Sequence, residues 1–197
     1  MLDTYASRPG WLDSLLTAIA RALLRSGINA DTLTYFALLS GITAGLFFSY
    51  LRPGIALVWL VLSGLADAVD GRVARLGKGS TPWGGVLDLV CDRIVEAAVL
   101  LGIALPYQHL HVPACVLAMT WYVNLCVFLA VGAASERQRQ KVIVYSPGLV
   151  ERGEAIFFAA FAGLWPQWAA PIAYLYAALE VITAAQRFLA GRRELRH

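Results

Sequence analysis

Residues 67–92 read DAVDGRVARLGKGSTPWGGVLDLVCD, and this stretch indicates both the fold and the chemistry of the chain. It contains four acidic residues: Asp67, Asp70, Asp88 and Asp92. The chain around it has 197 residues, of which 59% are hydrophobic and only 15% are charged. Soluble domains carry about 25% charged residues. The composition is therefore typical of a polytopic membrane protein and argues against a soluble enzyme.

Six apolar segments are long enough to be membrane spans, since the hydrocarbon core requires about 20 residues of helix. They are residues 33–50, 54–73, 84–105, 112–134, 149–165 and 168–189. Residues 11–27 place apolar side chains on one side of a helix, which predicts an amphipathic helix at the membrane surface. The alternative is an amphipathic helix packed on protein. The predicted fold is all-α: an N-terminal surface helix, residues 1–27, and a six-helix transmembrane domain, residues 28–197.

The distribution of positive charge predicts the orientation in the membrane. Arginines and lysines precede the first segment, follow the last one, and cluster in the second-to-third and fourth-to-fifth connections. The other three connections contain only Arg52. The positive-inside rule places the basic connections in the cytoplasm. Both termini and the aspartate-rich stretch are therefore predicted to be cytoplasmic, which requires an even number of spans.

The four aspartates fall in pairs on two successive helices. Asp67 and Asp70 are three residues apart, so they share a helix face. Asp88 and Asp92 are four residues apart and do the same. A lipid-facing aspartate at a helix centre costs about 2.5 to 3.5 kcal/mol, so the aspartates are expected to face each other, a cavity or a counter-ion. A short connection between adjacent antiparallel helices would bring the two pairs together at a similar depth. Converging carboxylates need a cation, and oxygen ligands suit Mg²⁺, Mn²⁺ or Ca²⁺. Four carboxylates favour a pair of metal ions acting on phosphate.

Two other interpretations remain open from the residues alone. Buried ion pairs with Arg72, Arg75 and Arg93 would explain the aspartates without a metal. A divalent-cation transporter would also place acidic residues in its spans, although near the midplane. Arg75 and Lys78 would repel cations on such a path. Three further polar residues in the apolar segments have open roles: Glu96, Asn124 and Glu180.

The fixed positions of the stretch read D-x2-D-G-x2-A-R-x8-G-x3-D-x3-D. Every spacing resembles the signature of the CDP-alcohol phosphatidyltransferase family. Members transfer the phosphatidyl group of a CDP-lipid, usually CDP-diacylglycerol, to the hydroxyl of a small polar alcohol and release CMP. The resemblance implies a metal-dependent integral membrane transferase that uses Mg²⁺ or Mn²⁺, as two ions. It further implies a homodimer in a bacterial inner membrane, without a nucleic-acid partner. The alternative within the family is a CDP-choline or CDP-ethanolamine enzyme with diacylglycerol as acceptor.

The resemblance also implies a role for each matching residue. The metal ligands would be Asp67, Asp70, Asp88 and Asp92. Asp92 would also be the catalytic general base that takes the proton from the acceptor hydroxyl. The nucleotide and diphosphate contacts would be Asp31, Thr34, Gly71, Ala74, Arg75, Thr81 and Gly84.

Within the family, the chain is most similar to the bacterial phosphatidylinositol phosphate synthases. The similarity includes GINADTLT at residues 27–34 and VERGE at residues 150–154. Arg152 and Arg187 would then bind a phosphate on the acceptor. A Lys-x-Arg cluster usual at the end of the fourth segment is absent, and Ala155 stands where a second arginine is expected. The acceptor therefore stays open between inositol, inositol phosphate and another small polar alcohol.

Overall fold

The computed structural model describes residues 10–77, 79, 81–139 and 152–195. These residues are helical apart from caps and short turns, so the all-α prediction is confirmed for the part of the chain that is described. The chain forms two compact units, Met1–Pro106 and Tyr107–His197.

The described residues of the first unit form four helices: α1 Gly10–Arg25, α2 Ala30–Ser49, α3 Pro53–Leu76 and α4 Pro82–Ala104. Local sequence explains where they begin. Asn29 caps α2, because its side-chain oxygen accepts a hydrogen bond from the Thr32 amide at 2.8 Å. α3 and α4 each have a proline in the first turn, where the missing amide proton has no helical partner to lose.

Helix α1 has two different apolar sides. One side enters a buried cluster with α2 and α3 that consists of Leu16, Ala20, Leu33, Val69 and Val73. The other side leaves Leu15 and Ile19 exposed. Helix α1 therefore packs on protein, which was the alternative that the sequence left open. An apolar side also remains for a membrane surface.

Helices α2 and α4 approach each other through glycines. A Cβ at Gly102 would overlap the backbone carbonyl of Gly45, and a Cβ at Gly45 would overlap the backbone of Ala98. A Cβ at Gly41 would lie 2.5 Å from the Val95 side chain. Small residues allow this approach, which is a frequent form of helix packing in membranes. The α2–α4 contact therefore depends on the absence of side chains at these positions.

The connection between α3 and α4 returns the chain to the same end of the unit. Gly79 has a φ of +91°, in the left-handed region that favours glycine. Its amide donates to the carbonyl of Ala74 at 3.0 Å. Helices α3 and α4 each pack on α2. The short connection leaves the end of α3 and the start of α4 at the same end of the unit, where Asp67 and Asp70 meet Asp88.

The described residues of the second unit form three α-helices, α5 His111–Arg139, α6 Arg152–Leu164 and α7 Pro166–Leu195, after a short 3-10 helix, Gln108–Leu110. Tyr176 of α7 contacts both other helices. Its ring meets Trp121 of α5 edge-on at 5.9 Å between centroids. It also stacks on Phe158 of α6 at 5.1 Å. One aromatic side chain therefore joins the three helices.

Four of the described helical stretches are long and apolar enough to cross a membrane, which differs from the six spans expected from the sequence. They are Ala30–Ser49, Pro53–Leu76, Gln108–Ala134 and Pro166–Arg193. Helix α4 is not among them: it carries Asp88, Asp92, Arg93 and Glu96 within 23 residues. Helix α6 is also not among them, with only 13 residues in the described part. The length and composition of these helices fit a membrane protein.

Candidate functional site

The first unit brings three of the four aspartates together. One carboxylate oxygen from each of Asp67, Asp70 and Asp88 lies within 4.8 Å of the others. Asp70 is buried and the other two are half-buried. Carboxylates this close repel each other unless a cation or a proton lies between them. All-oxygen ligands from two helices fit a hard divalent cation such as Mg²⁺ or Mn²⁺.

Asp92 lies one helical turn beyond Asp88 on α4 and is half-buried. Among the described residues, the group of oxygens within 4.8 Å consists of the other three aspartates. Glu96, a further turn along α4, forms an ion pair with Arg93 at 2.6 Å. The two residues are three apart in sequence, so they lie on the same face of α4.

Thr34, one of the predicted nucleotide contacts, lies beside the aspartates. Its hydroxyl donates to Oδ2 of Asp70 at 2.7 Å, in a buried bond between α2 and α3. One turn along α2, at Ala37, the backbone carbonyl accepts a bond from the Ser63 hydroxyl, also at 2.7 Å and buried. Two hydroxyl groups therefore join α2 to α3, and one of them ends on a carboxylate of the cluster.

Arg75 extends back along α3 over Gly71. A Cβ at Gly71 would lie 3.4 Å from Nη1 of Arg75. Arg75 is exposed at the end of α3, and Ala74 beside it is half-buried. The guanidinium therefore lies over Gly71, which directly follows Asp70 and comes one turn after Asp67. A cation in that position suits a phosphate bound next to the carboxylates.

Three more predicted nucleotide contacts meet at the start of α4. Thr81 caps the helix, since its hydroxyl oxygen accepts from the Gly84 amide at 2.9 Å. A Cβ at Gly84 would lie 3.2 Å from that hydroxyl oxygen and 3.9 Å from Oδ1 of Asp31. Asp31, in the first turn of α2, and Thr81 therefore both lie beside Gly84. Asp88 follows Gly84 by one turn, which links this group to the aspartates.

Arg72 has a role that the sequence did not reveal. Its Nη2 lies 2.7 Å from Oδ1 of Asp13, and its side chain is only 5% exposed. Its Nη1 donates to the carbonyl of Ala68 at 2.7 Å. The two ion-pair partners are 59 residues apart, so no local pattern indicates the pair. Since Arg93 pairs with Glu96, two of the three arginines considered for ion pairs contact carboxylates outside the aspartate cluster.

The second unit contains a separate polar network around Arg187. The Asn124 amide donates to the carboxylate of Glu180, and both residues are buried. Nη1 of Arg187 donates to Oδ1 of Asn124 at 2.9 Å, and its guanidinium lies 5.3 Å from the centre of the Phe128 ring. The sequence named Glu180 and Asn124 without a role. In the sequence, the only signal for their link to Arg187 is that Glu180 and Arg187 are seven residues apart on one helix, which places them on the same face.

Arg152, the other predicted acceptor contact, is the first residue of α6. Its side chain lies outside the described residues, so the expectation for it stays a prediction.

Comparison with known proteins supports the signature. The family profile described as CDP-alcohol phosphatidyltransferase matches residues 28–188, most of the chain. The phosphatidylinositol phosphate synthase of Cutibacterium acnes is 30% identical over 207 residues, which cover 94% of this chain and 96% of that protein. The synthase of the same name from Mycobacteroides abscessus is 30% identical over 185 residues, covering 88% and 82%.

Solved structures give the same result. The Mycobacterium tuberculosis phosphatidylinositol phosphate synthase with CDP-DAG bound aligns with a TM-score of 0.73 and 26% identity, covering 90% of this chain and 94% of that one. The same enzyme in complex with manganese and citrate aligns with a TM-score of 0.71, covering 89% and 88%. With a matching profile over most of its length and an intact aspartate signature, the chain belongs to the CDP-alcohol phosphatidyltransferase family.

Proposed function

We propose that the protein is a membrane phosphatidyltransferase that uses CDP-diacylglycerol and inositol phosphate and releases CMP. The convergence of Asp67, Asp70 and Asp88 carries this proposal, because three carboxylate oxygens within 4.8 Å form a site for a divalent cation. The names of the aligned relatives support the choice of both substrates. Membership in the family also favours a transferase over a cation transporter.

In the proposed reaction, the aspartates of α3 and α4 would hold two Mg²⁺ or Mn²⁺ ions, with Asp92 as an additional ligand. A bound divalent cation neutralises charge on the diphosphate and on the departing CMP. Arg75, above Gly71, adds a fixed positive charge for the same phosphates. The group at Asp31, Thr81 and Gly84 receives the nucleotide, with Ala74 adjoining the same region.

Asp92 takes the proton from the acceptor hydroxyl as its oxygen attacks phosphorus. A new oxygen–phosphorus bond forms to the phosphate that carries the lipid, and the bond between the two phosphates breaks. CMP leaves with the electron pair of that bond. Asp92 is suited to this proton transfer by its position. It is half-buried, lies one turn from Asp88 and is not one of the three converging carboxylates.

Arg187, with Arg152, is proposed to bind the phosphate of the acceptor. The Asn124 bond holds one end of the Arg187 guanidinium, and a fixed guanidinium loses little freedom on binding phosphate. A double negative charge on inositol phosphate would distinguish it from free inositol at such a residue.

The membrane placement belongs to the same proposal. We infer six spans, with α4 and α6 crossing together with the four apolar helices, and a surface helix in residues 1–27 ahead of a membrane domain in residues 28–197. Support for α4 comes from an exposed apolar stripe at Val86, Val90, Ile94, Leu101 and Leu105. The positive connections then lie in the cytoplasm, together with both termini and the metal site. A homodimer in a bacterial inner membrane completes the proposal.

The direct test is CMP release by the purified protein in detergent with Mg²⁺ and CDP-diacylglycerol. The acceptor panel holds inositol phosphate, inositol, glycerol phosphate, serine and other polyols. We expect release with inositol phosphate that is lost on addition of chelator. Release with a different acceptor would keep the reaction and change the substrate. Failure of the protein to bind CDP-diacylglycerol would contradict the transferase itself.

A further inference from the structure

We propose that Thr34 is a positioning residue of the metal site, which acts by orienting the carboxylate of Asp70. The family resemblance assigns Thr34 to the nucleotide instead. The proposal rests on the metal site of the proposed function and adds to it a residue from a third helix, since the aspartates lie on α3 and α4 and Thr34 lies on α2.

The contact is short and protected from solvent. Oγ1 of Thr34 lies 2.7 Å from Oδ2 of Asp70, and the two residues are 6% and 7% exposed. The hydroxyl has one proton and a second acceptor, the Ala30 carbonyl at 3.1 Å. The carboxylate is both closer and charged, and hydrogen bonds to charged acceptors are stronger than those to neutral ones. The proton therefore goes to Asp70.

A fixed donor on one carboxylate oxygen restricts rotation of the whole group. Because Thr34 holds Oδ2, the plane of the Asp70 carboxylate is set before a cation arrives. Partners of this kind behind a metal ligand typically change metal affinity by about 10- to 100-fold. Thr34 thereby gives α2 a part in the metal site without supplying a ligand.

The role is distinct from helix packing, which another hydroxyl group serves nearby. Ser63 on α3 donates to the Ala37 carbonyl of α2 at 2.7 Å in a buried bond. That bond joins the same two helices but ends on a backbone oxygen. Thr43 is a second reference, since it lies on α2 and its hydroxyl donates to the Leu39 carbonyl of its own helix at 2.7 Å. These two residues provide matched controls.

The test is a titration of the purified, metal-stripped protein with Mn²⁺, in which free Mn²⁺ is followed by electron paramagnetic resonance. Thr34→Val keeps the size of the side chain and removes the hydroxyl, and we expect the Kd for Mn²⁺ to rise about 10-fold or more. Thr34→Ser, which retains a hydroxyl, is expected to restore the parent Kd. Ser63→Ala and Thr43→Val are expected to leave the Kd unchanged.

A second readout separates this role from contact with the nucleotide. At saturating Mn²⁺, we expect Thr34→Val to bind CMP with the parent affinity. Weakened CMP binding with an unchanged Mn²⁺ affinity would overturn the proposal in favour of nucleotide contact. An equal loss of Mn²⁺ affinity in Ser63→Ala would overturn it in favour of helix packing. Thermal unfolding of each variant in detergent verifies that it is folded, and Thr34→Ala serves in place of Thr34→Val if the valine is not tolerated.

The variant Asp70→Asn separates a failure of the role proposed for Thr34 from a failure of the proposed metal site. If Asp70→Asn weakens Mn²⁺ binding and Thr34→Val does not, only the role of Thr34 is wrong. If Asp70→Asn also leaves Mn²⁺ binding unchanged, the metal site itself is wrong, and the role of Thr34 fails with it.

Discussion

Arg72 on α3 and Asp13 on α1 form an ion pair at 2.7 Å that ties the N-terminal helix to the helix that carries Asp67 and Asp70. The arginine side chain is 5% exposed, whereas that of Asp13 is 55% exposed. The pair therefore has one end in the protein and one in solvent. It lies beside the apolar cluster through which α1 packs on α3.

Loss of this ion pair is expected to destabilise the protein modestly. In Asp13→Asn the buried Arg72 keeps its bond to the Ala68 carbonyl but loses its ion pair with the Asp13 carboxylate. Because Asp13 is half in solvent, we expect the free energy of unfolding to fall by about 1 kcal/mol or less. Chemical unfolding in detergent measures it, with Ser14→Ala on the same helix as control. An unchanged value at low salt would contradict a stabilising pair.

The sequence predicted the helices better than it predicted the contacts between them. Apolar segment length located each helix, and the aspartate spacing predicted that the carboxylates of α3 and α4 converge. Neither argument predicts the pairs Arg72–Asp13 and Thr34–Asp70. The residues of these pairs are 59 and 36 positions apart, and their contacts depend on how the helices pack. The glycine contact between α2 and α4 was missed for the same reason. The number of candidate spans differed because charges on α4 lower its hydropathy and because the described part of α6 is only 13 residues long.

Asp92→Asn is expected to abolish transfer while the protein stays folded and binds nucleotide. A general base contributes about 10²- to 10⁴-fold to the rate. The rate of CMP release by Asp92→Asn should therefore be about 10²- to 10⁴-fold lower than that of the parent. The control is Glu96→Gln, one turn further along α4, whose carboxylate pairs with Arg93. Its turnover should stay close to that of the parent. Near-normal turnover of Asp92→Asn would rule out the assignment as base.

Mn²⁺ is expected to stabilise the folded protein through the aspartate cluster. A ligand that binds only the folded state at one hundred times its Kd adds about 2.7 kcal/mol. The melting temperature of the parent protein should therefore rise on addition of Mn²⁺ and return to its starting value with chelator. Asp88→Asn removes one of the three converging oxygens and should lose most of this rise. A full rise in Asp88→Asn would place the ion elsewhere.

Gly102→Ala is expected to destabilise the first unit, since its Cβ would overlap the Gly45 carbonyl. Overpacking of a close contact costs about 1–3 kcal/mol, which thermal unfolding in detergent will detect. Gly54→Ala on α3 is the matched control, because nothing lies within 4 Å of a Cβ there. That variant should be as stable as the parent or slightly more so. Equal stability of the two variants would mean that α2 and α4 are not held by this contact.

Arg187→Gln is expected to raise the KM for a phosphorylated acceptor and to leave the KM for CDP-diacylglycerol unchanged. Loss of a charged hydrogen bond of about 1.5–3 kcal/mol corresponds to about 10- to 100-fold in KM. The control is Arg192→Gln, an exposed arginine near the end of the same helix. If both KM values rise together, Arg187 serves the structure of the second unit through Asn124 and not the acceptor.

The division of the chain at Pro106 has a consequence for how such enzymes diversify. Every residue proposed to bind metal or nucleotide lies in Met1–Pro106, whereas both residues proposed for the acceptor, Arg152 and Arg187, lie in Tyr107–His197. The proposal therefore assigns donor chemistry to the first unit and acceptor choice to the second. On that assignment, a change of acceptor alcohol would require substitutions in the second unit, while the first unit would keep the residues proposed to bind the CDP-lipid.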